Sequence, residues 1–185
     1  IHAHDFKTPD VFYGKRVLVI GAGNSGCDIA VEAAQHAAVA SISVRRGYHF
    51  LPKFLRGRPI DSAGVHFQRL RLPLWFRRLV AGYYSCLILG PPQQFGLPKP
   101  DHKLFETHPI VNSQLLYHLG HGRLKAKPDV ARFDQGDVHF ANGMHETFDM
   151  IVCATGYEVR FPFIDKQLLN WNDSLPQLHI HAIHP

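Results

Sequence analysis

The stretch KRVLVIGAGNSGCDIAVEAA, Lys15–Ala34, decides the fold of this chain. It contains a continuous apolar run, Val17–Ile20, of the kind that forms a strand buried on both faces of a parallel sheet. Gly21, Gly23 and Gly26 follow directly, and the alanine-rich segment after them has the composition of a helix. The stretch therefore predicts a strand, a tight glycine turn and a helix.

The residues after the glycines complete a βαβ unit. Asn24 or Ser25 is expected to cap the helix, because short polar side chains accept hydrogen bonds from the free N–H groups at a helix start. The helix should end at about His36. The run VASISV, Val39–Val44, is then predicted to form the second strand.

The spacing of the glycines matches a dinucleotide-binding turn. In such a turn the first glycine allows the tight bend, the second lets the backbone approach a pyrophosphate, and the third lets helix and strand pack closely. The free N–H groups of the helix start would then face the phosphates. The alternative is a glycine turn that only permits tight packing. The sequence places the candidate pyrophosphate site at Gly21, Gly23, Asn24, Ser25 and Gly26.

The end of the second strand indicates which dinucleotide would bind. NAD-binding folds usually carry an acidic residue there for the ribose 2′-hydroxyl. This chain instead has Arg45 and Arg46, and Ser43 could add a hydroxyl group. Two guanidinium groups favour the charged 2′-phosphate of NADP through charge-assisted hydrogen bonds. The alternative is a solvated arginine pair at a strand end.

The remaining elements favour an α/β fold. Leu74–Gly90 and Val111–Leu119 are predicted helices, with a loop at Pro91–Lys103. A hairpin with its turn at Asn142–Gly143 should lead into a buried strand, Met150–Ala154. The order of elements predicts a Rossmann-like, open, mostly parallel sheet with flanking helices and an antiparallel hairpin.

Length and composition suit one globular domain in a reducing compartment. The chain has 185 residues, of which 45% are hydrophobic and 19% are charged, so disorder is not expected. Its net charge of +5 is compatible with a phosphorylated ligand. The three cysteines form no C-x-x-C pair, which favours a cytoplasmic protein. Because the chain begins at Ile1 and not at Met, we interpret it as a piece of a longer protein.

Several other functions are disfavoured. The apolar run Leu74–Gly90 is interrupted by Arg77 and Arg78 and is shorter than the roughly 20 residues of a membrane span, so a docked helix or a contact with a partner domain is expected. No metal site is expected, although histidines alternate near both ends of the chain. No nucleic-acid-binding signature is present. The histidines concerned are His2, His4, His179, His181 and His184.

Taken together, several runs resemble the flavin-containing monooxygenases, which are class B flavoprotein monooxygenases. VLVIGAGNSGCDIAVE is similar to the second, NADPH-binding glycine motif of that family, and SISVRRG is similar to its strand end. CATGY, Cys153–Tyr157, resembles the family's Ala-Thr-Gly motif. FGLPKPDH, HPIVNS and HIHAIHP resemble further runs in the same order. HAHDFKTP resembles the end of the family's fingerprint, with His2 in the histidine place.

The resemblance implies a two-cofactor enzyme from which this chain is one part. NADPH would reduce FAD, and a C4a-hydroperoxyflavin would insert one oxygen atom of O₂ into a nucleophilic nitrogen or sulfur, or into a ketone. The chain lacks the family's FAD motif, so the missing FAD domain of the same protein is the expected partner and the fragment alone should be inactive. Catalytic residues within this chain are unknown. The resemblance also assigns Thr155 and Gly156 to the cofactor site, although a simple strand-ending turn would explain them as well.

Three segments follow from this interpretation. Residues 1–14 would be a linker arriving from the FAD domain, and residues 15–157 the NADP(H)-binding domain with a helical insertion at about 56–119. Residues 158–185 would lead back to the FAD domain. The alternative functions are an NADPH-dependent, FAD-containing disulfide reductase and an NADP-sensing module without turnover.

Overall fold

The computed structural model describes residues 1–55, 57–60, 72–134 and 136–157, together with the backbone of residues 171–172 and 175–176. The chain divides into two compact units, Ile1–Thr155 and Gly156–Pro185. Within the second unit, strands β12 (Trp171–Asn172) and β13 (Leu175–Pro176) form an antiparallel pair. The predictions for His179, His181 and His184 lie outside the described residues.

A four-stranded parallel sheet forms the centre of the first unit. Its strands are ordered β11-β1-β2-β7, and all three neighbouring pairs are parallel. Val17 of β1 pairs with Ala40 of β2 on one side and with Met150 of β11 on the other. The α/β fold class with a parallel sheet is therefore confirmed. The strands are β1 (Arg16–Ile20), β2 (Val39–Ser43), β7 (Leu124–Lys127) and β11 (Met150–Cys153).

Two helices cover one face of this sheet. Helix α1 (Asn24–His36) joins β1 to β2, and helix α3 (Gln114–Gly120) precedes β7. Val17 and Val19 of β1 share the largest buried cluster with apolar residues of both helices. Burying a single Val or Ile side chain contributes about 1.5–3 kcal/mol, so this cluster fixes the position of α1 on the sheet. The helix residues in the cluster include Cys27, Ile29, Ala30, Val31, Ala33, Leu115, Leu116 and Leu119.

An antiparallel meander covers the opposite face. It contains β8 (Val130–Asp134), β9 (Asp137–Phe140) and β10 (His145–Thr147), and it connects β7 to β11. Leu18 of β1 points to this side and packs in a second cluster with Val138, Phe140 and Phe148. The predicted hairpin turn is confirmed, since Gly143 at its tip has a φ of 84°.

The described parts of the segment between β2 and α3 include short strands and the long helix α2. β3 (Phe50–Leu51) pairs in parallel with β6 (Ile110–Val111), and β4 (Phe54–Leu55) pairs with β5 (Arg58–Pro59). Helix α2 spans Leu74–Leu89 as expected, yet none of its residues is buried. Within the described ranges, no helix is long and apolar enough to cross a membrane.

Residues 1–14 pack against the sheet instead of extending away from it. The Ala3 N–H donates to the Cys153 carbonyl at 2.9 Å, and the Cys153 N–H donates to the Ile1 carbonyl at 2.9 Å. Phe12, in a short 3-10 helix, is fully buried and stacks on Phe6 with their ring centroids 4.9 Å apart. Ala3 and Phe12 of this segment therefore belong to the core, which its mixed polar sequence does not indicate.

Two local details differ from expectation. The N-cap of α1 is Gly23, which has no side chain to accept a capping hydrogen bond. Asn24 and Ser25 are the first residues of the helix and therefore do not cap it. Helix α3 begins at Gln114, later than the expected Val111, because the Asn112 side-chain oxygen accepts the Leu115 N–H at 2.8 Å.

Candidate functional site

The strand order reverses at the carboxyl ends of β1 and β11. From β1 the chain proceeds to β2 and β7 on one side, whereas β11 returns on the other side of β1. Ligands of open α/β sheets bind where the strand order reverses in this way. The glycine turn follows β1 at this point and Ala154–Thr155 follows β11, so the fold brings together two motifs that are far apart in sequence.

Gly21 and Gly26 are required by the packing of the protein itself. Gly21 has a φ of 104°, and a Cβ atom there would lie 2.4 Å from the Ala154 carbonyl oxygen. A Cβ atom on Gly26 would lie 2.0 Å from the Gly21 carbonyl oxygen and 3.2 Å from the Ala154 Cβ. These two glycines therefore let α1, β1 and the end of β11 approach closely. Ala154 is the residue that receives both contacts, and the sequence analysis did not single it out.

Gly23 has no such internal explanation. Its φ of −71° is ordinary for any residue, and apart from its chain neighbours no heavy atom of the residues that the structure describes lies within 4 Å of the position that a Cβ atom would occupy. The missing side chain leaves open space above the backbone at the start of α1. That space fits a ligand that contacts the backbone directly, as a pyrophosphate does in dinucleotide-binding turns.

The first turn of α1 offers unpaired donors to an anion. The Cys27 N–H donates to the Gly23 carbonyl at 2.9 Å. The N–H groups of Asn24, Ser25 and Gly26 lie too close to the helix start to have an acceptor within the helix. Asn24 and Ser25 are exposed, and the first turn contains no acidic residue. Together with the helix dipole, these donors favour a phosphate group at this position.

The end of β2 is joined to the glycine turn. The Gly21 N–H donates to the Ser43 carbonyl at 3.0 Å, which holds the two backbones together at the same edge of the sheet. The Ser43 side chain is buried, and its hydroxyl donates to the Pro128 carbonyl at 2.7 Å. That hydroxyl therefore ties β2 to the residue after β7, in contrast to the exposed arginines that follow it.

Arg45 and Arg46 are both exposed beyond this strand end. Arg46 Nε donates to the Tyr48 hydroxyl at 3.3 Å, and its guanidinium lies 5.2 Å from the centroid of the Tyr48 ring. For Arg45 no hydrogen bond or ion pair is found among the described residues. One guanidinium is thus held in place and the other is available, an arrangement that suits a doubly charged phosphate.

Lys99 is a neighbour of the arginine pair that the sequence analysis missed. Gly47 forms a parallel bridge with Pro100, and a Cβ atom on Gly47 would lie 2.3 Å from the carbonyl carbon of Lys99. The exposed Lys99 therefore lies next to the loop that follows Arg46. Asp101 lies nearby, and its hydrogen bond with His102 is the main cause that lowers its pKa, with a contribution from Arg46. A separation of 52 residues gives no local signal for this contact.

Thr155 and Gly156 follow β11. Thr155 is exposed, and its backbone nitrogen lies 3.7 Å from the position of a Cβ atom on Gly21, so it adjoins the glycine turn. Gly156 has a φ of 111°, which favours glycine, and it begins the second unit.

The site has the features of a binding surface. Burial, reinforced by Asp28, raises the pKa of the Cys27 thiol to about 12, so this cysteine beside the turn is not a nucleophile at neutral pH. Among the residues that the structure describes, no three His, Cys, Asp or Glu side chains are grouped to hold a metal ion. What the arrangement offers is backbone N–H groups, two guanidinium groups and open space at one edge of the sheet.

The chain is similar to known proteins along most of its length. The sequence pattern of the family described as FMO-like, flavin-binding monooxygenase-like, matches residues 1–183. The chain is 32% identical over 168 residues to the probable indole-3-pyruvate monooxygenase YUCCA9 of Arabidopsis thaliana, which covers 88% of this chain and 40% of the relative. It is 36% identical over 174 residues to human flavin-containing monooxygenase 5, which covers 90% of this chain and 32% of the relative.

A solved structure has the same fold. The flavin monooxygenase from Stenotrophomonas maltophilia superposes with a TM-score of 0.59 at 23% identity, covering 97% of this chain and 41% of the other. The chain thus spans less than half the length of the relatives it matches. With a family pattern that extends over nearly all of its residues, the chain belongs to the flavin-binding monooxygenase-like family.

Proposed function

We propose that this chain is the NADP(H)-binding part of a flavin-dependent monooxygenase. The observation that carries the proposal is the pairing, at one sheet edge, of an open glycine turn with two exposed arginines. Gly23 is central to it, because packing within the protein does not account for a glycine there. The family match favours this function over the alternative of a disulfide reductase.

The residues of this chain would act by binding and orienting the coenzyme. The N–H groups of Gly23, Asn24 and Ser25 would donate to the pyrophosphate, with Gly21 and Gly26 shaping the turn. Thr155 and Gly156 would adjoin the coenzyme from the end of β11. When bound, NADPH supplies a hydride and FAD in the parent protein supplies the chemistry that activates O₂.

The 2′-phosphate would lie at the end of β2. Arg45 and Arg46 would donate charge-assisted hydrogen bonds to it, and Lys99 would add a third cation from the neighbouring loop. Ser43 would support this corner indirectly, since its hydroxyl already donates to Pro128. Tyr48 would hold the Arg46 guanidinium in position before the coenzyme arrives.

For the parent protein we propose oxygenation of a small molecule at a nucleophilic nitrogen or sulfur, or at a ketone. The two relatives compared above are both named as monooxygenases, and one is named for indole-3-pyruvate, a keto acid. The missing flavin domain would complete the substrate site, because this chain spans less than half of such relatives.

The arginine pair gives a direct test of the coenzyme site. We expect the double variant Arg45→Ala with Arg46→Ala to weaken NADPH binding at least about tenfold, while NADH binding changes little, because NADH lacks the 2′-phosphate. Isothermal titration calorimetry measures both affinities. The control is Arg123→Ala, because Arg123 directly precedes β7 and so lies at the opposite, amino-terminal edge of the sheet. Unchanged NADPH affinity in the double variant would contradict the assignment.

The flavin part of the proposal is tested on the full-length parent protein. We expect the purified protein to be yellow, with a flavin absorption spectrum, and to consume NADPH and O₂ together. Absorbance at the NADPH band and an oxygen electrode follow the two reactants. A full-length protein that is colourless and does not bind added FAD would rule out a monooxygenase.

A further inference from the structure

A second candidate binding site lies beside helix α2. It is a cavity of about 690 Å³, within the range of small-molecule pockets, which is about 300–1,000 Å³. One wall is a face of α2 that includes Leu79, Gly82 and Ser85, and the other walls come from the loop after β2 and from residues 90–104. Among the described lining residues there is none from the glycine turn and neither arginine of the Arg45–Arg46 pair. The cavity is therefore a separate feature of the surface.

Gly82 indicates that this space is kept open. It lies in the middle of α2, where a glycine costs about 1 kcal/mol relative to alanine. Apart from its neighbours in the helix, no heavy atom of the described residues lies within 4 Å of the position of a Cβ atom on Gly82, so close packing in this part of the protein does not require a glycine there. Its missing side chain instead enlarges the cavity that it lines.

The charges around the cavity favour an anion. Its described lining includes Arg78, Lys99 and Lys103 but no carboxylate. Glu106, just outside the lining, lies 3.5 Å from Arg78 and offsets that cation. The other nearby carboxylate, Asp101, is paired with His102 at 2.7 Å. Within the described part of the chain, no carboxylate oxygen lies within 4.0 Å of the Nζ atom of Lys99 or Lys103, so these two ammonium groups at the rim have no ion-pair partner there. The Lys103 backbone N–H donates to Glu106 Oε2 at 2.9 Å.

The walls of the cavity are fixed by hydrogen bonds. Ser85 Oγ on α2 donates to the Phe50 carbonyl of β3. His49 Nε2 lies 2.8 Å from the His102 carbonyl oxygen, and His102 Nε2 lies 2.7 Å from Thr107 Oγ1. These contacts connect the helix and both loops, so the site exists before a ligand binds, which lowers the entropic cost of binding.

We propose that this cavity binds a small amphipathic carboxylate. The apolar body of the ligand would lie against Leu79, Gly82 and Leu104, and its carboxylate would meet Lys103 at the rim. Lys99 lies between this cavity and the arginine pair, so the ligand is assigned to Lys103 and the coenzyme phosphate to Lys99. The inference does not depend on the coenzyme proposal, because Lys103 and Gly82 carry it; Lys99 lines the cavity and also belongs to the proposed coenzyme corner.

The test compares two probes of the same shape on the full 185-residue chain. 2-Naphthylacetate carries a carboxylate, whereas 2-(2-naphthyl)ethanol has the same ring and no charge. We expect the acid to bind at least about fivefold more tightly by titration calorimetry, as one or two ion pairs at a solvent-exposed rim allow. Lys103→Gln should remove most of this difference and leave the alcohol unaffected. Lys125→Gln, at an exposed position on β7, is the matched control.

A second variant tests the cavity itself. Gly82→Leu places a side chain in the open space and improves the helix propensity of α2, so the protein should fold, which a thermal melt checks. We expect it to weaken both probes at least tenfold while NADPH affinity stays unchanged. Equal affinity for acid and alcohol, an unaltered Gly82→Leu variant, or complete displacement of the acid by saturating NADPH would each overturn the proposal. If the unsubstituted chain bound the acid but not NADPH, the coenzyme proposal would be wrong and the cavity proposal would stand.

Discussion

At Gly21, Gly23 and Gly26 the same residue type meets different demands. Gly21 and Gly26 are needed because a Cβ atom at either position would collide with backbone at 2.4 Å or less. Gly23 leaves space that none of the described residues fills. The motif therefore combines two glycines for the fold with one that we assign to the ligand.

This division of roles predicts that a substitution at Gly26 mainly lowers stability, whereas one at Gly23 mainly weakens coenzyme binding. Gly26→Ala should destabilise the protein by about 1–3 kcal/mol, because the new methyl group overpacks a closed contact. Gly23→Ala should cost less than about 1 kcal/mol of stability, as expected for alanine at an N-cap. It should nevertheless weaken NADPH binding by at least about tenfold, since its Cβ enters the proposed pyrophosphate site. Urea unfolding and titration calorimetry separate the two effects; equal loss of stability in both variants would contradict the assignment.

Another residue-scale prediction concerns His118 of α3. This side chain is buried, and its Nδ1 atom has no hydrogen-bond partner among the described residues. Burial, with Arg123 and His121 nearby, lowers its pKa from 6.5. A histidine whose pKa is lower in the folded state contributes stability above pH 6.5 that is lost as the pH falls. The His118→Leu variant should therefore lose less stability than the unsubstituted chain when the pH is lowered from neutral to mildly acidic.

Urea unfolding at several pH values measures this difference. The control is His108→Leu, because His108 is exposed and its replacement changes the histidine count equally. If the His118→Leu variant and the unsubstituted chain lost the same stability as the pH was lowered, the buried imidazole would not be the cause of that loss.

At the scale of elements, local patterns were sufficient for β1, α1, β2 and the hairpin at Gly143. They failed for β7, Leu124–Lys127, an edge strand in which lysines alternate with apolar residues. Lys127 is accommodated there because it pairs with Glu146 and lies 5.9 Å from the centroid of the Phe140 ring. Both contacts come from the antiparallel meander, so the local sequence of β7 does not predict them.

The candidate site shows the same limit. Its glycines and arginines were identified from sequence because each has a local signature at a strand end. Lys99 and Ala154 could not be identified, since only the pairing of Gly47 with Pro100 and of β1 with β11 brings them there. The buried bond from Ser43 to Pro128 likewise depends on β2 and β7 being neighbours.

For the molecule as a whole, the fold places every residue of the proposed coenzyme site in the first unit, apart from Gly156 at the junction. The unit has its own buried core on both faces of the sheet. The chain spans less than half the length of its relatives, and the coenzyme surface that we propose lies within this unit.

The most direct test of this account is the affinity of the chain for NADPH compared with NADH. The two coenzymes differ only in the 2′-phosphate, so their affinity ratio isolates the corner formed by Arg45, Arg46 and Lys99. Titration calorimetry at fixed low salt should give NADPH at least about a tenfold advantage, or 1.4 kcal/mol. That advantage should shrink as salt increases, because exposed charges are screened. Equal affinities for the two coenzymes, or binding of neither, would contradict the central claim.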